Sequence, residues 1–311
     1  EIDYLARGAG ADVLRGEPVF GRVFRLPEKN EGRAAMWRLI RDLRGRRYAA
    51  AVDFYSNPRS ALLVRLTGAR MRIGGDRRVR RRLYTHPMTI PPGVRRATDH
   101  HLSYLRPLGV TAEPPGPVKP ALRISDSERE SAGAVLRSAG IDSARPTVGV
   151  HPGGKWMVKR WPTDKFAELI ERLGSHGLQI VVLIGPGEEI YQSKLRGMVG
   201  DRAVYLPTLP IRETAAVIDS LDGMVVCDGG IMHISVAVDT PTVGIFGSAE
   251  PDIWFPYEDF GPFTPAFVDI ECRPCHRHEC DHISCLRGLN AETVEERLRG
   301  VMAARRSPEP L

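Results

Sequence analysis

The chain contains 311 residues, of which 42% are hydrophobic and 26% are charged. These proportions are typical of a globular protein and exclude the disordered, collagen-like and small disulfide-rich classes. The longest hydrophobic run, Ile180–Ile184, is far shorter than the roughly 20 residues that a membrane-spanning helix requires, and no signal peptide is recognisable. We therefore expect a cytoplasmic protein with two domains of ordinary size.

The charge is unevenly distributed along the chain. Residues 1–110 contain 23 Lys and Arg against 10 Asp and Glu, whereas the remainder contains 21 against 28. The excess, densest at Arg77–Arg82, is either a solvated surface or a surface that meets nucleic acid, anionic lipid or an acidic glycan. No aromatic residues are interleaved with these arginines and no helix-turn-helix or zinc-finger pattern occurs, so we expect no nucleic acid partner.

The N-terminal part alternates between short hydrophobic runs and segments with helical periodicity. Strands are predicted at residues 2–6, 23–26 and 48–54, and helices at residues 34–43 and from about residue 58 to residue 66. Strands that alternate with helices favour a parallel α/β sheet. We assign residues 1–111 to this first domain.

A Pro-rich stretch at residues 112–120 is the best predicted linker, and a helix follows at residues 127–139; together they form the segment 112–145. The second predicted domain, residues 146–290, repeats the α/β alternation, and its first helix is predicted to be capped by Thr163. Its other predicted elements are strands at 147–150, 178–184, 203–206, 223–227 and 242–246 and helices from 188 and at 211–221. A last helix lies in the segment 291–311.

Two motifs of the second domain fall where a predicted strand gives way to a helix. Such positions attract anions, because free backbone N–H groups and the helix dipole point at the ligand. After the first strand, Gly153 and Gly154 allow close backbone approach, Lys159 supplies a point charge suited to a diphosphate, and Lys155 is a weaker second cation.

The second motif is Asp228-Gly229-Gly230-Ile231-Met232-His233. Asp228 either contacts a ligand or caps the next helix, Gly229 and Gly230 leave N–H groups open, and His233 lies on the first helical turn. Glu188, preferred over Glu189, follows a Gly-Pro-Gly turn and either binds a ribose hydroxyl or complements the helix dipole. No Asp-x-Asp pair ends a strand, so we expect no catalytic metal.

Four of the five cysteines lie within 14 residues, at Cys272, Cys275, Cys280 and Cys285. Their spacing suits a tetrahedral structural site for zinc or iron, with nearby histidines as further candidate ligands. Free or redox-active thiols and disulfides are the alternatives. Cys227 lies in a hydrophobic run and is expected in the core.

The ordered set H-P-G, K-x-W-P, D-x-G-x-x-H and F-G resembles glycosyltransferase family 9, the ADP-heptose:lipopolysaccharide heptosyltransferases. The resemblance implies a GT-B fold, in which two Rossmann-like domains face each other across a cleft. It implies that the second domain holds the nucleotide sugar through Lys159, Asp228 and His233. The first domain would hold the acceptor through Asn57, Arg59 and Arg80.

The sequence departs from the family pattern in two places. The usual opening strand and its Gly-Asp loop, whose Asp is the expected general base, would precede Glu1, and Asp12 follows the wrong strand to replace it. The usual Thr of D-T-G is Gly229, which removes a hydroxyl from the donor site.

These observations predict an inverting glycosyltransferase that moves a sugar, heptose by resemblance, from a nucleotide-diphosphate donor such as ADP-heptose. The expected acceptor is an anionic glycolipid or glycan of lipopolysaccharide type, which implies peripheral contact with the inner face of the membrane. The alternatives are a non-catalytic or truncated GT-B protein that binds sugar nucleotides and a GT-B sugar-nucleotide epimerase.

Overall fold

The computed structural model describes residues 1–110 and 118–306 and consists of two compact units, Glu1–Val118 and Lys119–Leu311. All strand pairs are parallel within these described ranges. The α/β architecture with parallel sheets is therefore confirmed. Most of the predicted linker lies outside the described residues, and the strand predicted to precede Glu1 stays a prediction.

The first unit has a two-stranded sheet, β1-β2, and a three-stranded sheet, β3-β4-β5. Its strands are β1 (Asp3–Arg7), β2 (Arg22–Leu26), β3 (Ala50–Asp53), β4 (Met71–Gly75) and β5 (His86–Met88). Its helices are α1 (Gly8–Val13), α2 (Gly32–Gly45), α3 (Pro58–Thr67) and α4 (Ala97–Ser103). A small core forms where α2 packs on β2 through Phe24, Leu39 and Leu43.

The second unit is built on a six-stranded parallel sheet in the order β11-β10-β9-β6-β7-β8. Its strands are β6 (Thr147–His151), β7 (Gln179–Val182), β8 (Val204–Tyr205), β9 (Gly223–Cys227), β10 (Thr242–Ile245) and β11 (Phe263–Ala266). Its helices are α5 (Asp126–Ser138), α6 (Thr163–Ser175), α7 (Glu189–Val199), α8 (Ile211–Asp219), α9 (Gly230–Ala237), α10 (Pro251–Trp254), α11 (Ser284–Arg287) and α12 (Ala291–Arg306).

Helix α6 follows the sequence pattern closely, since its four periodic hydrophobic residues are fully buried against the sheet: Phe166, Leu169, Ile170 and Leu173. The predicted cap Thr163 is wrong. Pro162 is the residue before the first turn, and its carbonyl accepts the N–H groups of Lys165 and Phe166, so Thr163 is already helical. Trp161 is buried beside this helix and donates its indole N–H to the Leu289 carbonyl at 3.1 Å.

Within the described ranges, no helix combines the length and hydrophobicity that crossing a lipid bilayer requires. Short 3₁₀ turns also occur, and two of them carry candidate residues: Arg78–Leu83 in the first unit and Met157–Lys159 in the second.

Gly247, directly after β10, fixes the distance between two loops at the carboxyl edge of the large sheet. A Cβ atom there would clash with the backbone carbonyl of Val158. The loop after β6 and the loop after β10 are therefore in backbone contact, which leaves no room for a side chain at this position.

We predict that Gly247→Ala lowers the free energy of unfolding by about 1–3 kcal/mol, because an overpacked contact must be relieved by moving backbone. Gly300→Ala is the matched control. Its Cβ would meet nothing on α12, so the helix should gain up to about 1 kcal/mol. Urea unfolding of both variants measures the difference, and equal effects would contradict the proposed close approach.

Candidate functional site

The strand order places a ligand crevice in the second unit. From β6 the chain moves outward through β7 and β8, and then returns to the other side of β6 to form β9, β10 and β11. In open α/β sheets, ligands bind outside the carboxyl ends of the strands where this order reverses. That point lies between β6 and β9, whose following loops carry Lys159 and Asp228.

Lys159 and Asp228 form an ion pair across this reversal. Nζ of Lys159 lies 2.6 Å from Oδ2 of Asp228, and the two side chains are 20% and 4% exposed. The residue that caps α9 is Gly229, and no side chain provides a cap hydrogen bond. The alternative reading of Asp228 as a helix cap is thus excluded by the structure.

His233 lies on the first turn of α9 and contacts Tyr257, with 3.2 Å between Nδ1 and the phenol oxygen. Burial lowers the pKa of His233; the charge of Asp228 opposes this shift and that of Lys159 adds to it. The imidazole is therefore neutral at pH 7. Burial also raises the pKa of Tyr257 to about 12, so its hydroxyl stays protonated and is able to donate.

Glu188 joins the loops that follow β6 and β7. Its Oε2 accepts the N–H of Gly185 at 2.7 Å and lies 3.1 Å from Nε2 of His151. Burial opposes ionisation of Glu188, but His151 and the amides of Gly185 and Gly154 outweigh it and lower the pKa. A Cβ on Gly153 would clash with this carboxylate. Glu188 was predicted to bind a ribose hydroxyl, and one of its two carboxylate oxygens is therefore already bound within the protein.

The glycines after β9 leave open backbone at the start of α9. Gly229 has extended geometry with φ near −177°, which any residue adopts, and a Cβ there would meet only the Cys227 carbonyl at 3.7 Å. Gly230 is exposed and begins the helix. The first backbone N–H groups of α9 are expected to donate hydrogen bonds to an anion.

Two tryptophans that sequence reasoning did not select lie against Lys159. The Lys159 ammonium is 5.2 Å from the ring centre of Trp156 and 6.0 Å from that of Trp254. Lys155 is near the first of these rings, at 5.4 Å. The only sequence signal was the position of Trp156 between the two lysines.

The structure does not support the predicted zinc or iron site at Cys272, Cys275, Cys280 and Cys285. Among the described residues, no group of three or more Cys, His, Asp or Glu side chains is placed to hold a metal ion, and the cysteines are free thiols. Cys285 is turned into the hydrophobic core on α11, whereas Cys272 is exposed. The close spacing in sequence therefore does not bring all four sulfurs to one point.

The nearby histidines have other partners. His278 stacks on Trp156, His282 lies 2.9 Å from the Ser284 hydroxyl, and His276 lies 3.9 Å from a Glu250 oxygen.

The predicted acceptor residues are all in the first unit. Asn57 caps α3 by accepting the Ser60 N–H at 2.9 Å, and Arg59 donates to the Pro27 carbonyl at 2.9 Å. Arg80 lies in the arginine-rich 3₁₀ turn. Their role toward an acceptor stays a prediction. Asp12, the substitute base considered above, pairs with Arg15 at 2.9 Å.

The sequence model of glycosyltransferase family 9 (heptosyltransferase) matches residues 36–283. Lipopolysaccharide heptosyltransferase 3 of Escherichia coli is 26% identical over 285 residues, which cover 83% of this chain and 78% of that protein. Lipopolysaccharide heptosyltransferase 2 of Salmonella typhimurium is 29% identical over 140 residues, covering 43% and 39%.

Solved structures share the fold. ADP-heptose lipopolysaccharide heptosyltransferase II of E. coli superposes with a TM-score of 0.80 at 20% identity, over 98% of this chain and 90% of that one. A family 9 glycosyltransferase from Veillonella parvula gives 0.82 at 18% identity, over 97% and 88%. The match to the family model defines the protein as a glycosyltransferase. The chain belongs to glycosyltransferase family 9.

We predict that Lys159→Met lowers the free energy of unfolding by about 3 kcal/mol, because removing one partner of a buried ion pair leaves an uncompensated charge. Adding Asp228→Asn should restore part of that loss. Denaturant unfolding of the two single variants and the double variant gives the coupling energy. Strictly additive effects would contradict a direct pair.

We predict that Cys272, Cys275 and Cys280 react readily with a thiol reagent in the folded protein, and that Cys227 and Cys285 react only on unfolding. Burial raises the pKa of Cys227 to about 12 and also raises that of Cys285, so both remain unreactive thiols at pH 8. Ellman's titration with and without denaturant counts both classes.

Cys272→Ser and Cys227→Ser are the matched controls, since each should remove one thiol from its own class. Added zinc should leave the melting temperature unchanged. A zinc-dependent rise that is abolished by Cys272→Ser would restore the metal site.

Proposed function

We propose that the chain transfers a heptose from ADP-heptose to a glycan acceptor of lipopolysaccharide type, with inversion at the anomeric carbon. The observation that carries this proposal is the Lys159–Asp228 pair at the strand reversal, with His233 within electrostatic reach. Relatives named as lipopolysaccharide heptosyltransferases support the choice of sugar and acceptor.

Lys159 stabilises the departing diphosphate. An ammonium has three N–H donors, so it can retain Asp228 while it binds a phosphate oxygen. Such a preorganised charge acts where negative charge develops in the transition state. The open amides of Gly229 and Gly230 add donors at the start of α9, and the positive end of the helix dipole favours the same anion.

His233 binds phosphate as a neutral donor. When the Tyr257 hydroxyl donates to Nδ1, the proton of the ring lies on Nε2, which becomes the donor available to a ligand. This role requires no change of charge on the imidazole between binding and product release.

Other residues of the second unit complete the donor site. Lys155 adds a second cation on the side of Trp156, and the backbone at Gly153 and Gly154 approaches the phosphates. The Glu188 carboxylate accepts a ribose hydroxyl. These cationic and backbone groups, rather than a divalent metal, neutralise the leaving group.

In the chemical step the acceptor oxygen attacks the anomeric carbon while the bond to the diphosphate oxygen breaks on the opposite face. The electron pair of that bond leaves with the diphosphate, which Lys159 receives. The proton of the acceptor hydroxyl passes to a base that is not assigned to any residue of this chain. Alignment of the two oxygens and the carbon supplies much of the rate enhancement.

The acceptor binds the basic first unit. Arg80 and its neighbours in the 3₁₀ turn face an acidic glycan or the lipid headgroups that carry it, and Val79 in the same turn is 75% exposed. Asn57 and Arg59 contribute through their position at the start of α3, since both side chains already have partners within the protein. Contact with an anionic membrane surface follows from this combination of cations and an exposed hydrophobic residue.

The proposal is tested by incubating the protein with ADP-heptose and a truncated lipopolysaccharide acceptor, and by following ADP release and the product by mass spectrometry and NMR. We expect heptose transfer with an inverted anomeric centre. Lys159→Met should lower kcat/KM about 100-fold or more, since it removes transition-state charge stabilisation. Asp228→Asn should also lower kcat/KM, since the ammonium loses the carboxylate that orients it. Lys194→Met, an exposed lysine on α7, is the control and should leave the rate unchanged.

Arg80→Glu should raise KM for the acceptor without changing the Kd for ADP. Failure of the protein to bind ADP or ADP-heptose by calorimetry would overturn the donor assignment. Binding without turnover, even with acceptors of several lengths, would favour the non-catalytic alternative.

A further inference from the structure

A cluster of aromatic rings lies beside Lys159, the residue proposed to bind phosphate, and consists of Trp156, Trp254 and His278. No step of the proposed reaction uses this cluster. We infer that the two tryptophans clamp the Lys159 ammonium and that His278 holds Trp156 in place, which makes all three positioning residues for the donor diphosphate. This inference rests on the proposed function of Lys159.

The first support is the environment of the ammonium group. Its nitrogen is 2.6 Å from Asp228 and lies 5.2 Å and 6.0 Å from the centres of the two indole rings. Both separations fall within the range of about 6 Å in which an indole attracts a cation. Lys159 is therefore bounded by one carboxylate and two aromatic rings, which restrict its rotamers and direct its remaining N–H groups.

The second support is the stack behind Trp156. The ring of His278 lies 4.2 Å from that of Trp156 with an interplanar angle of only 20°. Trp156 also immediately precedes the 3₁₀ turn that carries Lys159, and its carbonyl accepts the Lys159 N–H at 3.0 Å. A change in the indole position therefore moves the backbone that presents the ammonium.

The third support is how His278 itself is fixed. Its segment is held to the loop after β10, since Arg273 donates to the Gly247 carbonyl at 2.6 Å and to the Ala249 carbonyl at 3.1 Å. Ser248 in this loop adds three hydrogen bonds to the segment. Its backbone carbonyl accepts the N–H groups of Cys275 and His276, and its side-chain hydroxyl donates to the Arg277 carbonyl.

Helix α10, which carries Trp254, begins directly after this loop at Pro251. The loop after β10 therefore supports both sides of the clamp: Trp254 through the chain, and Trp156 through the segment that bears His278. The structure does not support the cysteine-bearing segment as a metal site. In this inference the segment instead holds Trp156 in position beside the donor site.

Trp254 is 42% exposed, so one part of its ring remains open to a ligand beside the ammonium. A diphosphate that binds Lys159 would cover this ring and change its fluorescence. The three residues consequently predict a measurable optical signal as well as an effect on affinity.

The experiment measures ADP binding by calorimetry and by tryptophan fluorescence in the wild-type protein and in matched pairs of variants. Trp254→Ala and His278→Ala should each weaken ADP binding about 3- to 30-fold, the range expected for loss of a cation–π contact or its support. Trp254→Phe and His278→Phe retain an aromatic ring and should restore most of the affinity. Trp254→Phe should also lose much of the fluorescence change that ADP induces.

Two controls isolate the clamp. Trp37→Ala removes another exposed tryptophan, which lies in the first unit, and His282→Ala removes another histidine of the same segment; both should bind ADP as the wild type does. His278 is exposed, so its variants should fold even where Trp156→Ala does not.

The outcomes separate the two proposals. Absence of ADP binding by the wild-type protein would overturn the proposed function itself. Normal ADP binding by the wild type together with unchanged affinity in Trp254→Ala and His278→Ala would overturn the clamp alone. Equal losses in the Ala and Phe variants would also overturn it, because they would show that the ring is not what matters.

Discussion

The ion pair between Lys159 and Asp228 is the constraint on which the proposed donor site depends. Asp228 is almost fully buried, and a carboxylate in that position is costly without a cation beside it. The pair bridges the two loops that diverge where the strand order reverses, so it fixes the floor of the crevice before any ligand arrives. The charge that a diphosphate would meet is thus already oriented, which reduces the reorganisation required during the reaction.

Two further contacts connect the loops at this edge of the large sheet. Glu188 ties the end of β6 to the loop after β7 through its contact with His151, and Gly247 brings the loop after β10 against Val158. Four strand ends are therefore cross-connected by one ion pair, one carboxylate and one backbone contact.

Much of the second unit could be predicted from its sequence. Strands β7 and β9 are continuous hydrophobic runs, as expected for strands covered on both faces, and α6 shows a clear helical period. Three strands were missed. Strand β4 is the central strand of its sheet and ends in two glycines, which weaken the strand pattern. Strands β5 and β11 are both at sheet edges and both contain proline, at Pro87 and Pro265. Edge strands tolerate a missing N–H, so the residue that argued against a strand is physically acceptable there.

The site was predictable only where motif and strand end coincide. Lys159, Asp228 and His233 were selected as candidates because each belongs to a motif that follows a recognisable strand. Trp156, Trp254 and His278 come from three distant segments, and no periodicity links them; their meeting depends on how Arg273 anchors its segment. The cysteine spacing predicted a metal site that the structure does not support. Cys285 faces the core on α11, whereas Cys272, Cys275 and Cys280 do not.

The extended backbone at Gly229 gives this position a freedom that Gly153 and Gly247 lack. Gly153 and Gly247 each exclude a side chain by steric conflict, whereas at Gly229 both the dihedral angles and the surrounding space accept one. A side chain at Gly229 is therefore compatible with the contacts at Gly153 and Gly247 that keep the loops together. The residue at this position is able to change without loss of the folded scaffold.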